Sequence, residues 1–294
     1  MDTLARLLFS LVLLVASPVA AAQADPAAPA PGTDRPATLK VMMVGNSLTY
    51  ANNLPRLVQA IAASQPGGPR IETATYALPG ADLNELWKDG HAAQALREGD
   101  WDVLVLQERG GVITCMGSNR QFPECRRSIT AHREFTRLAH SKGTRVLLYT
   151  TWGKITDMTL NNPKARERHR EILHNAYASL ARQLSSDGAD VTVVPAAGLL
   201  LAPRNGDYDS APFTDGVHPS VSSSLAIAAD LYAAIAGQAP EPREVAIDFP
   251  LLPPAARVEG DRPLEVQPQL AGEAVPVRLA AQALSPLYAR AAGD

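Results

Sequence analysis

Short apolar runs alternate with longer amphipathic segments between residues 39 and 237. Most of the runs are apolar at nearly every position, which is typical of strands buried on both faces of a parallel sheet. The segments between them carry apolar residues three and four positions apart, as helices with one buried side do. Five strands are predicted, at residues 39–44, 71–77, 103–106, 146–149 and 191–194. This alternation predicts an α/β fold in which helices cover both faces of a five-stranded parallel sheet.

Local signals mark the ends of the helices. Helices are predicted at residues 55–64, from Asp82 onward, and at residues 128–142, 163–185 and 220–237. Asp82 and Glu85 have the spacing of a capping box, and Gly143 is a stop signal. After residue 238 the chain is rich in proline. The sequence leaves open whether residues 239–294 wrap the domain at residues 39–238, form a small accessory unit or stay partly disordered.

The first 22 residues have the pattern of a secretory signal peptide. A short apolar run at residues 7–15 is followed by Pro18 and by small residues that end at Ala22. The alternative is a membrane anchor, which needs roughly 20 unbroken apolar residues. We expect cleavage near Ala22, a Pro/Ala-rich linker at residues 23–38, and a mature protein that is secreted or resides in a bacterial periplasm.

The cysteine content and the charge agree with export. Cys115 and Cys125 are the only cysteines, and in an oxidising compartment they are expected to form a disulfide. A free thiol pair and a metal site are the alternatives, although no histidine lies near either cysteine in the sequence. The formal net charge is −3, and the basic residues are scattered, so nucleic acid is not an expected partner. The sequence contains no second long apolar run, so membrane insertion after signal cleavage is not expected.

Two short motifs far apart in the chain carry the candidate chemistry. Ser47 directly follows the first predicted strand, whereas Asp215 and His218 lie three residues apart near the end of the domain. Alone, Ser47 is typical of a helix N-cap and His218 of a surface loop. Together they supply a nucleophile, a base and a carboxylate that orients the base. The loops after parallel strands share one edge of a sheet, so these side chains are predicted to meet there.

Other residues at the predicted strand ends complete the candidate site. The backbone N–H groups of Ser47 and Gly80 and the side chain of Gln107 are candidate donors to an oxyanion. Candidate substrate contacts are Tyr50, Glu108 and Trp152. For Tyr50 and Trp152, packing inside the domain is an equally good interpretation, and for Glu108 the alternative is an ion pair with Arg109 in solvent.

These motifs resemble the SGNH/GDSL hydrolase superfamily over roughly residues 39–237. The first block is Gly45-Asn46-Ser47-Leu48-Thr49, the glycine block is Tyr76-Ala77-Leu78-Pro79-Gly80, and the last is Asp215-Gly216-Val217-His218-Pro219-Ser220. The third block departs from the family pattern, because Gln107 stands where an asparagine is usual. Asn119 is a weaker candidate for that role, since it lies well past the strand and between the two cysteines. The resemblance implies a flavodoxin-like three-layer fold and ester hydrolysis through an acyl-enzyme, without a metal or an organic cofactor.

The sequence therefore predicts a secreted serine esterase that acts on a small-molecule or glycan ester. Removal of a short acyl group, such as acetyl from a carbohydrate, is the leading interpretation. An acyltransferase using the same three residues is one alternative. A glycan-binding module that retains the fold without catalysis is another, and intact Ser47, Asp215 and His218 count against it.

Overall fold

The computed structural model describes residues 37–154, 161–202 and 212–291 of the chain. The predicted signal peptide, and all of the predicted linker except its last two residues, lie outside the described residues.

The predicted strands form one parallel sheet with the order β2-β1-β3-β4-β5. Their bounds are β1 (Thr38–Gly45), β2 (Arg70–Ala77), β3 (Val103–Gln107), β4 (Arg145–Tyr149) and β5 (Val191–Val194). Near the carboxyl end of β1, Val44 lies opposite Tyr76 on one side and Leu106 on the other. The chain runs outward from β1 to β2 and then returns to β3 on the other side. The ends of β1 and β3 therefore border the crevice where such sheets bind ligands.

Helices cover both faces of this sheet, which confirms the predicted three-layer α/β/α architecture. They are α1 (Ser47–Tyr50), α2 (Leu54–Ser64), α3 (Leu83–Asp89), α4 (His91–Glu98), α5 (Pro123–Ser141), α6 (Pro163–Ser185), α7 (Ala196–Leu201), α8 (Val221–Ala236) and α9 (Ala281–Ala291). Helix α2 packs against α8 in one layer, and α3 packs against α5 in the other. The central strands are apolar over 41–44 and 103–106, where both of their faces are covered.

The helix ends largely follow their sequence signals. Asp82 and Glu85 form a capping box, in which each carboxylate accepts the other residue's backbone N–H at 2.8 Å. Helix α5 begins at Pro123, five residues before the predicted start. Proline is well suited to the first position of a helix, because the N–H that it lacks would have no partner there. The predicted disulfide between Cys115 and Cys125 is present and joins the 3₁₀-helix Val112–Gly117 to α5.

Residues 239–291 pack against the α/β domain. They contain an antiparallel pair, β6 (Val245–Ile247) with β7 (Val277–Leu279), the 3₁₀-helices Leu264–Val266 and Pro268–Leu270, and α9, which packs on α8. Glu265 accepts hydrogen bonds from the Thr73 and Thr75 hydroxyls and from the Thr75 N–H, at 2.7 to 2.8 Å. The outer edge of β2 is therefore occupied by a charged side chain, which is one way of preventing edge-to-edge pairing of sheets.

A search of the described helices for one long and apolar enough to cross a membrane finds none.

Candidate active site

Ser47 is the first residue of helix α1, directly after the turn that ends β1. Asn46 caps this helix: its Oδ1 accepts the Leu48 N–H at 3.1 Å, and its carbonyl accepts the N–H groups of Thr49 and Tyr50. The first four N–H groups of a helix have no partner within it. Asn46 takes three of them, so the fourth, that of Ser47 itself, is left beside the Ser47 hydroxyl.

Gly45 is required where β1 meets this turn. A Cβ at this position would lie 2.4 Å from both Gln107 Oε1 and Thr49 Oγ1, which is closer than real Cβ contacts come. Glycine therefore lets the Gln107 side chain pack against the turn at residues 45–47 (the serine turn).

A continuous line of hydrogen bonds joins the three predicted catalytic residues. His218 Nε2 lies 2.8 Å from Ser47 Oγ, and His218 Nδ1 lies 2.7 Å from Asp215 Oδ2. An ionised carboxylate can only accept hydrogen bonds. His218 Nδ1 therefore carries a proton and donates a hydrogen bond to Asp215. His218 Nε2 is then free to accept the Ser47 hydroxyl proton.

The loop that carries Asp215 and His218 is closed by its own hydrogen bonds. Asp215 Oδ1 accepts the N–H groups of Val217 and His218 at 3.0 and 2.8 Å, and the Thr214 N–H donates to the His218 carbonyl at 2.9 Å. This turn explains why an aspartate and a histidine three residues apart can face each other. Partial burial would raise the pKa of Asp215, but the hydrogen bonds from His218 and Val217 outweigh it and hold that pKa below its usual value.

Gln107 lies next to the serine turn, and both ends of its carboxamide are bound within the fold. Its Oε1 accepts the Asn46 N–H at 2.7 Å and the Thr49 hydroxyl at 2.8 Å, while its Nε2 donates to the Glu108 carbonyl at 2.6 Å. These partners determine which end of the carboxamide is oxygen. The side chain is 1% exposed. This contradicts the expectation that Gln107 donates to an oxyanion, and its place is that of a support under the turn.

Glu108 is fully buried, which contradicts its expected role as a substrate contact. Its carboxyl group accepts the N–H groups of Leu83 and Arg109 and the Ser128 hydroxyl, the last at 2.5 Å. Burial raises the pKa of Glu108 to about 7, although these hydrogen bonds pull it down. His132 Nδ1 lies 3.9 Å from the Glu108 carboxyl, and burial lowers the pKa of His132 to about 4.

The two aromatic candidates for substrate contact are buried as well. The Tyr50 side chain has no exposed surface, and its hydroxyl donates to the Pro254 carbonyl at 2.8 Å. Trp152 is equally buried, and its indole Nε1–H donates to the Val217 carbonyl at 2.8 Å. Neither ring offers a face on which a sugar could stack, so both expectations are contradicted.

Gly80 lies in an exposed turn just past the end of β2, and this turn is tied to the serine turn. Asn46 Nδ2 donates to the Ala81 carbonyl at 2.8 Å. The φ of Gly80 is +69°, a conformation that favours glycine. Asn119 belongs to a local turn, in which its Oδ1 accepts the Gln121 N–H at 3.0 Å.

Asn52 is a residue of this site that the sequence interpretation missed. Its Nδ2 donates to the Pro219 carbonyl and to Ser224 Oγ, both at 2.9 Å. Asn52 therefore links residues 47–53 (the serine segment) to residues 214–219 (the histidine loop). The available signal was the pair Asn52-Asn53 just before Pro55, because asparagine tolerates the left-handed backbone that both residues adopt.

Among the described residues, no group of three or more His, Cys, Asp or Glu side chains is arranged to hold a metal ion.

Comparisons with known proteins find distant structural similarity. A scan against models of protein families finds no match. A search of curated proteins finds none either. The chain is similar to the crystal structure of a DUF4886 family protein from Bacteroides uniformis, with 15% identity and a TM-score of 0.48 over 68% of this chain and 84% of that one. It is also similar to a catalytic mutant of Axe2, an acetylxylan esterase from Geobacillus stearothermophilus, with 15% identity and a TM-score of 0.47 over 69% of this chain and 96% of that one.

A third similar structure is LAE5, an alpha/beta hydrolase enzyme from the metagenome of Lake Arreo in Spain. It has 15% identity and a TM-score of 0.47 over 69% of this chain and 96% of that one. Likenesses at this level carry no weight in assigning chemistry to the chain.

Proposed function

We propose that this chain is a serine hydrolase of the SGNH type, which cleaves a carboxylic ester through an acyl-enzyme. The observation that carries the proposal is the line of hydrogen bonds from Ser47 Oγ to His218 Nε2 at 2.8 Å and from His218 Nδ1 to Asp215 Oδ2 at 2.7 Å. A serine hydroxyl is a weak nucleophile until an adjacent base takes its proton, and this arrangement supplies that base in the required tautomer.

In the first half of the reaction, Ser47 Oγ attacks the ester carbonyl carbon while its proton passes to His218 Nε2. The carboxylate of Asp215 stabilises the resulting imidazolium. Collapse of the tetrahedral intermediate breaks the bond to the leaving alkoxide, which takes the proton from His218. Water then attacks the acyl-enzyme with His218 as base, and the carboxylic acid is released from Ser47.

The developing oxyanion needs preorganised donors. The Ser47 N–H is suited to this role, because Asn46 occupies the other three free N–H groups of the helix start and leaves this one available. We assign the second donor to the Gly80 N–H, since the bond from Asn46 Nδ2 to the Ala81 carbonyl ties the Gly80 turn to the serine turn. The hole then consists of two backbone donors, with Gln107 supporting the turn from below.

The proposed substrate is a short-chain acyl ester of a small molecule or a glycan, with acetyl on a carbohydrate as the leading case, and the proposed location is outside the cytoplasm. The disulfide between Cys115 and Cys125 supports export, because such bonds persist in oxidising compartments.

A panel of acyl esters from acetyl to octanoyl tests this function, with Ser47→Ala beside the wild type. We expect hydrolysis by the wild type to be fastest for the short acyl groups and to fall by about 10³-fold or more in Ser47→Ala. Ser141→Ala, a change of an exposed serine at the end of α5, is the matched control and is expected to keep the wild-type rate. Equal hydrolysis by the wild type and Ser47→Ala would exclude Ser47 as the nucleophile, and hydrolysis by neither would leave a binding module on this fold.

A further inference from the structure

We propose that Asn52 and Trp152 are positioning residues that hold His218 in line with Ser47, an inference that rests on the function proposed above. The carbonyl before His218, that of Val217, accepts the Trp152 indole N–H at 2.8 Å. The carbonyl after it, that of Pro219, accepts Asn52 Nδ2 at 2.9 Å. Two side chains from different parts of the fold thus bind the backbone on either side of His218.

The histidine loop needs such anchors because its own hydrogen bonds are internal. The bonds from His218 N–H to Asp215 and from Thr214 N–H to the His218 carbonyl keep the loop in shape. They do not determine how far the loop stands from Ser47, which belongs to a segment 171 residues away in the chain. Bonds from the loop to the rest of the domain must set that distance.

Trp152 provides a rigid anchor on one side. It follows β4, is fully buried, and its ring lies 5.4 Å from that of Phe213, measured between centroids. Phe213 in turn pairs with Pro219 in an isolated β-bridge. The backbone of Trp152 is packed closely against Gly110, where a Cβ would come within 2.0 Å of the Trp152 carbonyl oxygen. The indole therefore has little freedom to follow a moving loop.

Asn52 provides the anchor on the side of the nucleophile. It lies five residues after Ser47, and its Nδ2 donates to Ser224 Oγ at 2.9 Å as well as to Pro219. Ser224 is buried in the first turns of α8, the helix that follows the loop. One carboxamide therefore connects the serine segment to the carbonyl next to His218 and to the helix behind it.

The backbone of Asn52 is in a left-handed conformation that contacts with the C-terminal segment support. Asn52 and Asn53 both have φ of +56°, which is uncommon for two consecutive residues other than glycine. The C-terminal segment binds the Asn52 backbone directly, because the Leu252 carbonyl accepts the Asn52 N–H at 2.7 Å. Asn53 has a separate bond, from its Nδ2 to the Pro250 carbonyl at 3.0 Å. Strained backbone that is retained in this way is concentrated at functional sites.

Matched pairs of variants separate positioning from general stability. Asn52→Gly and Asn53→Gly both relax a left-handed backbone and remove a carboxamide bound to a carbonyl, but only Asn52 binds the histidine loop. Trp152→Phe and Trp101→Phe both remove one indole N–H hydrogen bond. Trp101 lies just before β3, and its indole donates to the Ala95 carbonyl at 3.0 Å. Asn52→Asp keeps the shape of the side chain and replaces the donor with an acceptor.

For an acetyl ester, we expect kcat to fall by about 10- to 100-fold in Asn52→Gly, Asn52→Asp and Trp152→Phe, because misplacement by about 1 Å can cost about 10²-fold. KM is expected to change by less than about 3-fold, since the lost alignment matters in the transition state. Asn53→Gly and Trp101→Phe are expected to stay within about 3-fold of the wild type in kcat.

Hydrogen exchange of the peptide covering residues 213–219 gives a second readout that does not depend on ester turnover. Exchange there is expected to be faster in Asn52→Gly and Trp152→Phe than in their controls. If wild type hydrolyses esters but the loop variants match their controls in kcat and exchange, the positioning role is overturned. If wild type hydrolyses no ester, the proposed function fails, and the exchange comparison alone supports or overturns the positioning role.

Discussion

The carboxamide of Gln107 joins β3 to the turn that follows its neighbour β1. Its oxygen accepts from Asn46 N–H and the Thr49 hydroxyl, and its nitrogen donates to the Glu108 carbonyl. All of this takes place in a region that water does not reach. The shape of the serine turn therefore depends on a fully buried residue.

Replacing Gln107 by methionine tests this support role. Methionine has a similar length but leaves the Asn46 N–H and the Thr49 hydroxyl without their acceptor. We expect the free energy of unfolding in urea to fall by about 1–3 kcal/mol for each buried group left unpaired. Gln94→Met, which removes an exposed carboxamide bound to Glu98, is expected to change it by less than about 0.5 kcal/mol. A Gln107→Met protein of wild-type stability that lost only kcat would instead restore Gln107 as an oxyanion donor.

At the scale of elements, the turn from β1 into α1 places Ser47 because Asn46 does two tasks at once. Its oxygen caps the helix, and its nitrogen holds the Gly80 turn through the Ala81 carbonyl. Many helix caps perform only the first task. Asn162, for example, accepts the Ala165 N–H at 3.1 Å at the start of α6.

Asn46→Ala and Asn162→Ala form a matched pair for this dual role. Loss of either cap is expected to lower the free energy of unfolding by about 0.5–2 kcal/mol. Only Asn46→Ala is expected to lower kcat as well, by about 10-fold or more, because the Ser47 and Gly80 donors would lose their relative placement. Ester kinetics beside urea unfolding measure both effects. An equal kcat in the two variants would show that the Gly80 turn does not need this bond.

The elements that sequence could predict are those whose pattern is local. All five strands were predicted from short runs, four of them mostly apolar and the second, at residues 71–77, interrupted by Glu72, Thr73 and Thr75. The capping box at Asp82 was predicted from spacing alone. The first turn of α5 was missed because Arg126 and Arg127 interrupt the helical spacing of apolar residues there. Helix α7 was missed because it is apolar on all sides over only six residues. Residues 239–291 could not be assigned, since their structure depends on contacts such as those of Glu265 with the distant strand β2.

The candidate site divides in the same way. Ser47, Asp215 and His218 stood out because a strand-to-helix turn and a three-residue spacing are local features, and the structure brings them together. Gln107, Glu108 and Trp152 were correctly placed at strand ends. A position at a strand end does not reveal which way a side chain faces, and all three face inward. The hydrogen bond from Asn52 to Pro219 joins residues far apart in the chain, and the spacing of residues in the sequence does not predict it.

At the scale of the whole molecule, Glu108 and His132 make the stability depend on pH in opposite ways. The folded state raises the pKa of Glu108 from 4.5 to about 7, so between these values the unfolded chain binds fewer protons and stability falls as pH rises. It lowers the pKa of His132 from 6.5 to about 4, so between these values the unfolded chain binds more protons and stability rises with pH. The two slopes oppose each other between about pH 4.5 and 6.5.

Single replacements should therefore uncover one slope each. In Glu108→Gln, the free energy of unfolding is expected to rise with pH more steeply than in the wild type from pH 4.5 to 6.5, by up to about 1.4 kcal/mol per pH unit. In His132→Asn, it is expected to fall relative to the wild type by a similar slope. Urea unfolding at a series of pH values measures both. Parallel profiles for all three proteins would mean that folding shifts neither the pKa of Glu108 nor that of His132.

Covalent labelling measures whether Ser47 is a nucleophile that His218 activates. A fluorophosphonate ester reacts with such a serine, forming a bond from Oγ to phosphorus as fluoride leaves. Intact-mass spectrometry with peptide mapping is expected to show one adduct per chain on Ser47, none in Ser47→Ala, and much slower labelling in His218→Ala. An unlabelled Ser47 in wild-type protein that still hydrolyses esters, or a label that forms equally fast in His218→Ala, would contradict the account.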